Sequence, residues 1–123
     1  MFISSRCDEL VDAEKQITVH DAPIVLTIHF KRFTALGQKL CHRVDYGEQL
    51  SLHRAISKGC KCLLYSLYAC ICHFGSEPSS GHYTAFVKHG NGQWYEINDA
   101  LVACLISAPI NLKAAYILFY IQI

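Results

Sequence analysis

The chain has 123 residues, a length that suits one domain and leaves little room for a second. With 52% hydrophobic residues it can bury a core, which excludes a disordered chain. A formal net charge of +1, without a basic stripe, excludes the electrostatic footprint that nucleic-acid binding requires.

The opening Met1-Phe2-Ile3-Ser4-Ser5-Arg6 has none of the blocks of a secretory leader. The longest apolar run, Leu63 to Phe74, is too short to span a bilayer. A soluble cytoplasmic or nuclear protein with no membrane partner is expected. Seven cysteines, at 7, 41, 60, 62, 70, 72 and 104, are an odd set that does not form a disulfide framework in that setting. Cys70 and Cys72 alternate along a strand pattern and read as small buried hydrophobes.

Residues 7–16 are polar and suggest a turn or short helix. Ile17 to His20 alternates weakly, as a short strand does. After the break at Asp21-Ala22-Pro23, Ile24 to Phe30 is β-branched and nearly continuous, as expected of an interior strand. Leu36 to Asp45 contains Gly37 and is expected to form a hairpin with a strand over Tyr46 to Leu52. Residues 53–62 are basic around Gly59 and read as a surface connector. Leu64 to Phe74 is the second major strand. Gly75-Ser76-Glu77-Pro78-Ser79-Ser80-Gly81 is the most loop-like stretch. His82 to Lys88 is a third strand, Gly90-Asn91-Gly92 a tight turn, and Gln93 to Ile97 the return. Ala114 to Ile121 closes the chain as a last strand. The whole reads as an antiparallel sheet with few helical signals.

The chemistry concentrates in one hairpin. A turn at 90–92 sets Tyr83 or Thr84 opposite Asn98, with His82 one step away. Diagonal neighbours on one sheet face lie roughly 7–8 Å apart at the backbone, within reach of an imidazole and an amide. One ring nitrogen held by an orienter leaves the other free to take and return a proton. Asn98 suits that role, and a register change of one residue would hand it to Asp99. Gly81 removes side-chain bulk before His82 and leaves room for an extended substrate chain.

Gly81-His82-Tyr83, the spacing to Trp94-Tyr95, and Asn98-Asp99 resemble the histidine box of the ubiquitin-specific proteases, papain-like cysteine enzymes. Ala22 to Phe33 resembles that family's Pro-x-Val-Leu…Leu-Lys-Arg-Phe strand. Tyr65 to Gly75 resembles its Tyr-x-Leu-x-Ala-Val-x-x-His-x-Gly strand, and Ala115 to Tyr120 its closing Ala-Tyr-x-Leu-Phe-Tyr. Four ordered blocks cover nearly the whole chain.

The resemblance implies an α+β, papain-like cysteine protease fold, of which residues 1–123 are a partial catalytic domain. That part is the mostly antiparallel β palm, without the helical thumb. It implies that His82 is the general base and acid, Asn98 the orienter and Asp99 its support. Gly81 and Tyr83 then border the substrate channel, and Tyr83 and Trp94 pack. The Ser76–Gly81 loop resembles one that shifts when the ubiquitin tail enters. Ubiquitin or a ubiquitinated protein is the implied partner, and no cofactor is implied.

The nucleophile box, Gly-x-x-Asn-x-Gly-Asn-x-Cys-Tyr, is absent from the 123 residues, so the chain alone is expected to be inactive. The alternatives are a non-catalytic ubiquitin-binding or regulatory fragment, or a non-functional gene fragment. Met1 is expected to lie inside a longer catalytic domain. Cys7 resembles the last cysteine of a finger pair whose partner position is Ser4, and Cys60-x-Cys62 is spaced too closely, so no structural zinc is expected. Gly47 stands where the family usually has proline. The palm face left open by a missing thumb is expected to favour self-association.

Overall fold

A computed structural model describes residues 2–3, 10–61 and 63–123. The described residues form nine strands, in order: β1 Phe2–Ile3, β2 Leu10–Val11, β3 Val25–His29, β4 Gln49–Ser51, β5 Leu64–Phe74, β6 His82–Lys88, β7 Trp94–Asn98, β8 Leu101–Leu105 and β9 Ala115–Gln122. No helix occurs among the described residues. β1 and β2 pair only with each other. The other seven form one antiparallel sheet, ordered β3-β9-β5-β6-β7-β8, with β4 also on β5. This is the open β palm that the resemblance implies.

The long β5 is the organiser. Its first half pairs with β4 (Leu50↔Tyr65) and its second half with β6 (Cys70↔Phe86), while β9 runs along its other side. Two bulges adjust the phase of that β5–β9 ladder. One falls between Leu67 and Ala69, the other between Ile71 and Cys72. The first inserts Tyr68 and switches the inward residues of β5 from odd to even numbers. Tyr65 and Leu67 before it, and Cys70 and Cys72 after it, therefore lie on one face, each at most 1% exposed. Phe86, Trp94, Ala115, Leu118 and Tyr120 complete that face, with Leu52 against them.

Irregular chain covers this core. Tyr46 Oη donates to Pro109 O at 2.7 Å, and Tyr46 N donates to Asn111 Oδ1 at 2.6 Å. Tyr120 Oη donates to Gly47 O at 2.7 Å. Buried Arg32 donates through Nε to Ala115 O, and through one terminal nitrogen to Leu40 O and His42 O. The opposite sheet face is open toward its two edges, with Val25 and Ile121 at one and Ile97 and Val102 at the other, all more than a third exposed.

Several elements differ from expectation. Ile24–Phe30 does hold a strand, but β3 is the sheet edge and its burial alternates. Its β-branched run reads as interior because sequence does not show which neighbour is missing. Val19 makes only an isolated bridge, to Ile56 in the connector. The turn at Gly37 closes a single bridge, Phe33↔Lys39, rather than a hairpin with the next strand. That strand shrinks to Gln49–Ser51 and pairs with β5. Of residues 7–16, the first three lie outside the described residues; Leu10–Val11 is strand and 12–16 are irregular. Strand β8 was not anticipated. The finger-pair positions Ser4 and Cys7, and also Cys62, lie outside the described residues.

Candidate active site

The hairpin of β6 and β7 has the register read from its turn. Ala85 faces Ile97, Phe86 Glu96, Val87 Tyr95 and Lys88 Trp94. One step on, Thr84 lies opposite Asn98, and His82 is its diagonal neighbour on the same face. A two-residue turn, Asp99-Ala100, then sends the chain into β8, where Leu101 pairs back with Asn98. Asp99 takes a positive φ of 51° at that turn, a conformation that aspartate tolerates better than most residues.

The structure brings His82 and Asn98 together: the imidazole Nε2 lies 2.6 Å from Asn98 Oδ1. An amide oxygen only accepts, so Nε2 carries the proton and donates it. The ring is thereby fixed as one tautomer, with a bare Nδ1. His82 is exposed at the end of the core face, so Nδ1 is available to a reacting group. Asp99, also exposed, stands beyond the amide on the turn, and the ring's side-chain contact is to Asn98.

Gly81 and Tyr83 flank the histidine differently. Gly81 has a φ of 125°, and a Cβ there would overlap the Phe74 carbonyl oxygen and sit 2.8 Å from His73 Nε2. Only glycine fits. Tyr83 points to the opposite sheet face, where its ring centroid is 4.7 Å from that of His73 and 6.4 Å from that of Tyr116. Trp94 is buried under the hairpin, 4% exposed, as a packing residue.

The thiols of the core do not serve this site. Cys70 and Cys72 are buried side by side, and the hydrogen bond with Cys70, together with burial, pushes the Cys72 thiol up. Among the described residues no group of three or more His, Cys, Asp or Glu side chains is placed to hold a metal. The described residues contain no helix long and apolar enough to cross a membrane.

One cluster near the site escaped the sequence reading. His73 is 1% exposed and holds both Lys39 and the 75–81 loop by hydrogen bonds. A histidine two residues before one glycine and eight before another was the available signal. Its partner Lys39 lies too far away in sequence to be paired with it by pattern.

Comparison with known proteins places these features in a family. Residues 3–120 match the family described as ubiquitin carboxyl-terminal hydrolase. The chain is 40% identical over 124 aligned positions to ubiquitin carboxyl-terminal hydrolase 17-like protein D of Mus musculus, covering 98% of this chain and 23% of that protein. It is 37% identical over 119 positions to ubiquitin carboxyl-terminal hydrolase 23 of Arabidopsis thaliana, covering 95% of this chain and 14% of that one. Among solved structures, a chain of the yeast SAGA DUB module superposes with a TM-score of 0.85 at 30% identity, over 99% of this chain and 28% of its own length. A SAGA DUB module of Ubp8, Sgf11, Sus1 and Sgf73 bound to monoubiquitin gives a TM-score of 0.83 at 30% identity, over 99% and 28% of the two chains. The chain thus spans between 14% and 28% of the length of these relatives.

Proposed function

The chain belongs to the ubiquitin carboxyl-terminal hydrolase family, and from that premise we propose that residues 1–123 are the histidine-bearing palm portion of a thiol-dependent deubiquitinase domain. The observation that carries this reading is the 2.6 Å bond from His82 Nε2 to Asn98 Oδ1, in a hairpin whose fold and sequence both match the family. In the proposed reaction, a cysteine from outside these 123 residues gives its proton to His82 Nδ1. Its thiolate attacks the carbonyl of the C-terminal glycine of ubiquitin. The imidazolium then protonates the departing amine, and the neutral ring takes a proton from the water that cleaves the acyl-enzyme. Asn98 holds the ring's orientation throughout. Asp99 supports the turn that carries Asn98, and Gly81 and Tyr83 border the path of the ubiquitin tail. Ubiquitin is the proposed partner, and the cytoplasm or nucleus the proposed compartment.

Since the nucleophile box is not in the sequence, the 123 residues by themselves are proposed to be silent on a fluorogenic ubiquitin C-terminal substrate. Turnover by the purified chain that resists thiol alkylation would overturn the mechanism. The same absence favours a second reading, a non-catalytic module that retains part of a ubiquitin-facing surface. Titrating labelled chain with ubiquitin separates the two roles. Shifts confined to residues 81–83 and 98–99 support a tail-binding catalytic portion. Shifts elsewhere, without any at His82, support the binding module.

A further inference from the structure

The 75–81 loop hangs from the β5–β6 ladder, and His82 is the first residue after it. The last pair of that ladder is Phe74↔His82, so whatever fixes the loop's neck also fixes the backbone from which the imidazole projects. The neck is unusually close. A Cβ at Gly75 would sit 3.0 Å from Gly81 Cα and 3.2 Å from Ser80 O. Both glycines hold positive φ, 140° at Gly75 and 125° at Gly81. Two glycines in such conformations form a hinge unless something holds them.

What holds them is a chain of hydrogen bonds with its polarity fully determined. His73 Nε2 lies 3.0 Å from Ser80 O, and a carbonyl only accepts, so Nε2 carries a proton. His73 Nδ1 is then bare and accepts from Lys39 Nζ at 3.0 Å. Lys39 Nζ also donates to His73 O and to Gly75 O, each at 2.9 Å. The ammonium's three donors thus meet three acceptors, two on residue 73 and one on residue 75. The ring itself is walled by Phe33, Tyr83 and Tyr116, with centroids 5.9, 4.7 and 5.7 Å away. His73 at the centre of this chain is buried and the bonds around it are half-buried to exposed, and breaking a link to the buried ring leaves one of its nitrogens unpaired.

We propose that Lys39 and His73 are positioning residues for His82: their hydrogen bonds clamp the neck at Gly75 and Ser80-Gly81, and so aim the imidazole at Asn98. This deepens the reading of His82 as the reacting base and rests on it for its catalytic meaning. Neither residue touches the reacting atoms. The clamp acts by restricting the backbone of Gly81, which has no side chain of its own to anchor it. Movement of the loop is then confined to residues 76–79, above the clamp.

The test is nitrogen-15 NMR of the histidine rings in the 123-residue chain. In the parent chain His82 shows a protonated Nε2 and a bare Nδ1. In Lys39→Met, which keeps the length of the side chain and removes its donors, the His82 ring nitrogens move toward a mixture of tautomers. Solvent exchange at the His82 amide speeds up by about tenfold or more, while Phe86 and Val87 in the same strand keep their protection. His73→Gln presents an amide N–H for Ser80 O and an oxygen for Lys39, so it keeps the parent His82 signature, whereas His73→Leu loses it. An unchanged His82 signature in both Lys39→Met and His73→Leu overturns the proposal. So does a loss of protection spread evenly over β5, β6 and β7, or a failure of both variants to fold, since the residues would then serve the sheet as a whole. Neither ubiquitin nor a nucleophile enters the measurement. A failed clamp is therefore distinguishable from a failed assignment of deubiquitinase activity.

Discussion

A hydrogen bond at one imidazole nitrogen fixes which nitrogen is left bare and where it points, and at His82 a neutral amide makes that bond. An amide fixes the tautomer by geometry, without the charge that a carboxylate adds to the developing imidazolium. In a domain completed with a relative's nucleophile box, Asn98→Ala is therefore expected to lower turnover on the order of 100-fold, the low end of what acid–base catalysis contributes. Asp99→Ala is expected to lose less. The reverse order in a steady-state assay would transfer the orienting role to Asp99. Thiol reactivity is equally residue-specific. Cys41 and Cys104 are exposed, while Cys70 and Cys72 lie in the core. Brief alkylation of the native chain followed by peptide mass mapping should mark the first two and spare the second two. Labelling of Cys72 at a rate comparable to Cys41 would contradict the packing described. The His82–Asn98 pair was legible in the sequence because a tight turn of glycine and asparagine fixes the register of its two strands. The Lys39–His73 chain was not, because Lys39 and His73 lie 34 residues apart, and the other acceptors, the carbonyls of residues 73, 75 and 80, leave no mark on sequence.

At the scale of the element, the bulges explain what the alternation alone did not. Tyr65 and Leu67 share a face with Cys70 and Cys72 only because Tyr68 is inserted between them, and a strict period of two would place the pairs on opposite faces. The covering loops depend on tyrosine hydroxyls from the core side. Burial holds the Tyr46 phenol well above its ordinary value and pushes Tyr120 from 10.0 up to about 12. A phenol whose folded pKa is raised keeps its proton better folded than unfolded. Its contribution to stability is complete below pH 10 and is lost as pH climbs toward about 12. Circular dichroism at rising pH should therefore show alkaline unfolding in that window. Tyr120→Phe should flatten this dependence while costing about 1 kcal/mol near neutrality for the lost bond to Gly47 O. An identical alkaline profile in the variant would show that Tyr120 does not govern it. The edge position of β3 and the existence of β8 were hidden for a related reason. Strand order is set by long-range pairing, and a run such as Leu101–Leu105 carries no turn glycine to announce it.

For the whole molecule, the sheet has a covered face and an open one. Leu118, Tyr120 and Trp94 are sealed under the loops, while Ile97, Val102 and Ile121 stand more than a third exposed on the other side. Exposed apolar side chains on such a face favour association in water. Light scattering of the 123-residue chain is expected to show dimers or larger species that dissociate on dilution. A strictly monomeric chain at high concentration would argue against an open face of this extent. The family match extends over residues 3–120 and takes in the histidine hairpin. The most direct measurement of the central claim is hydrolysis of a ubiquitin C-terminal fluorogenic substrate by a domain in which these 123 residues are joined to a relative's nucleophile-bearing half. The account predicts thiol-dependent turnover that His82→Ala lowers by about 10³-fold or more. Turnover that survives His82→Ala undiminished would contradict it.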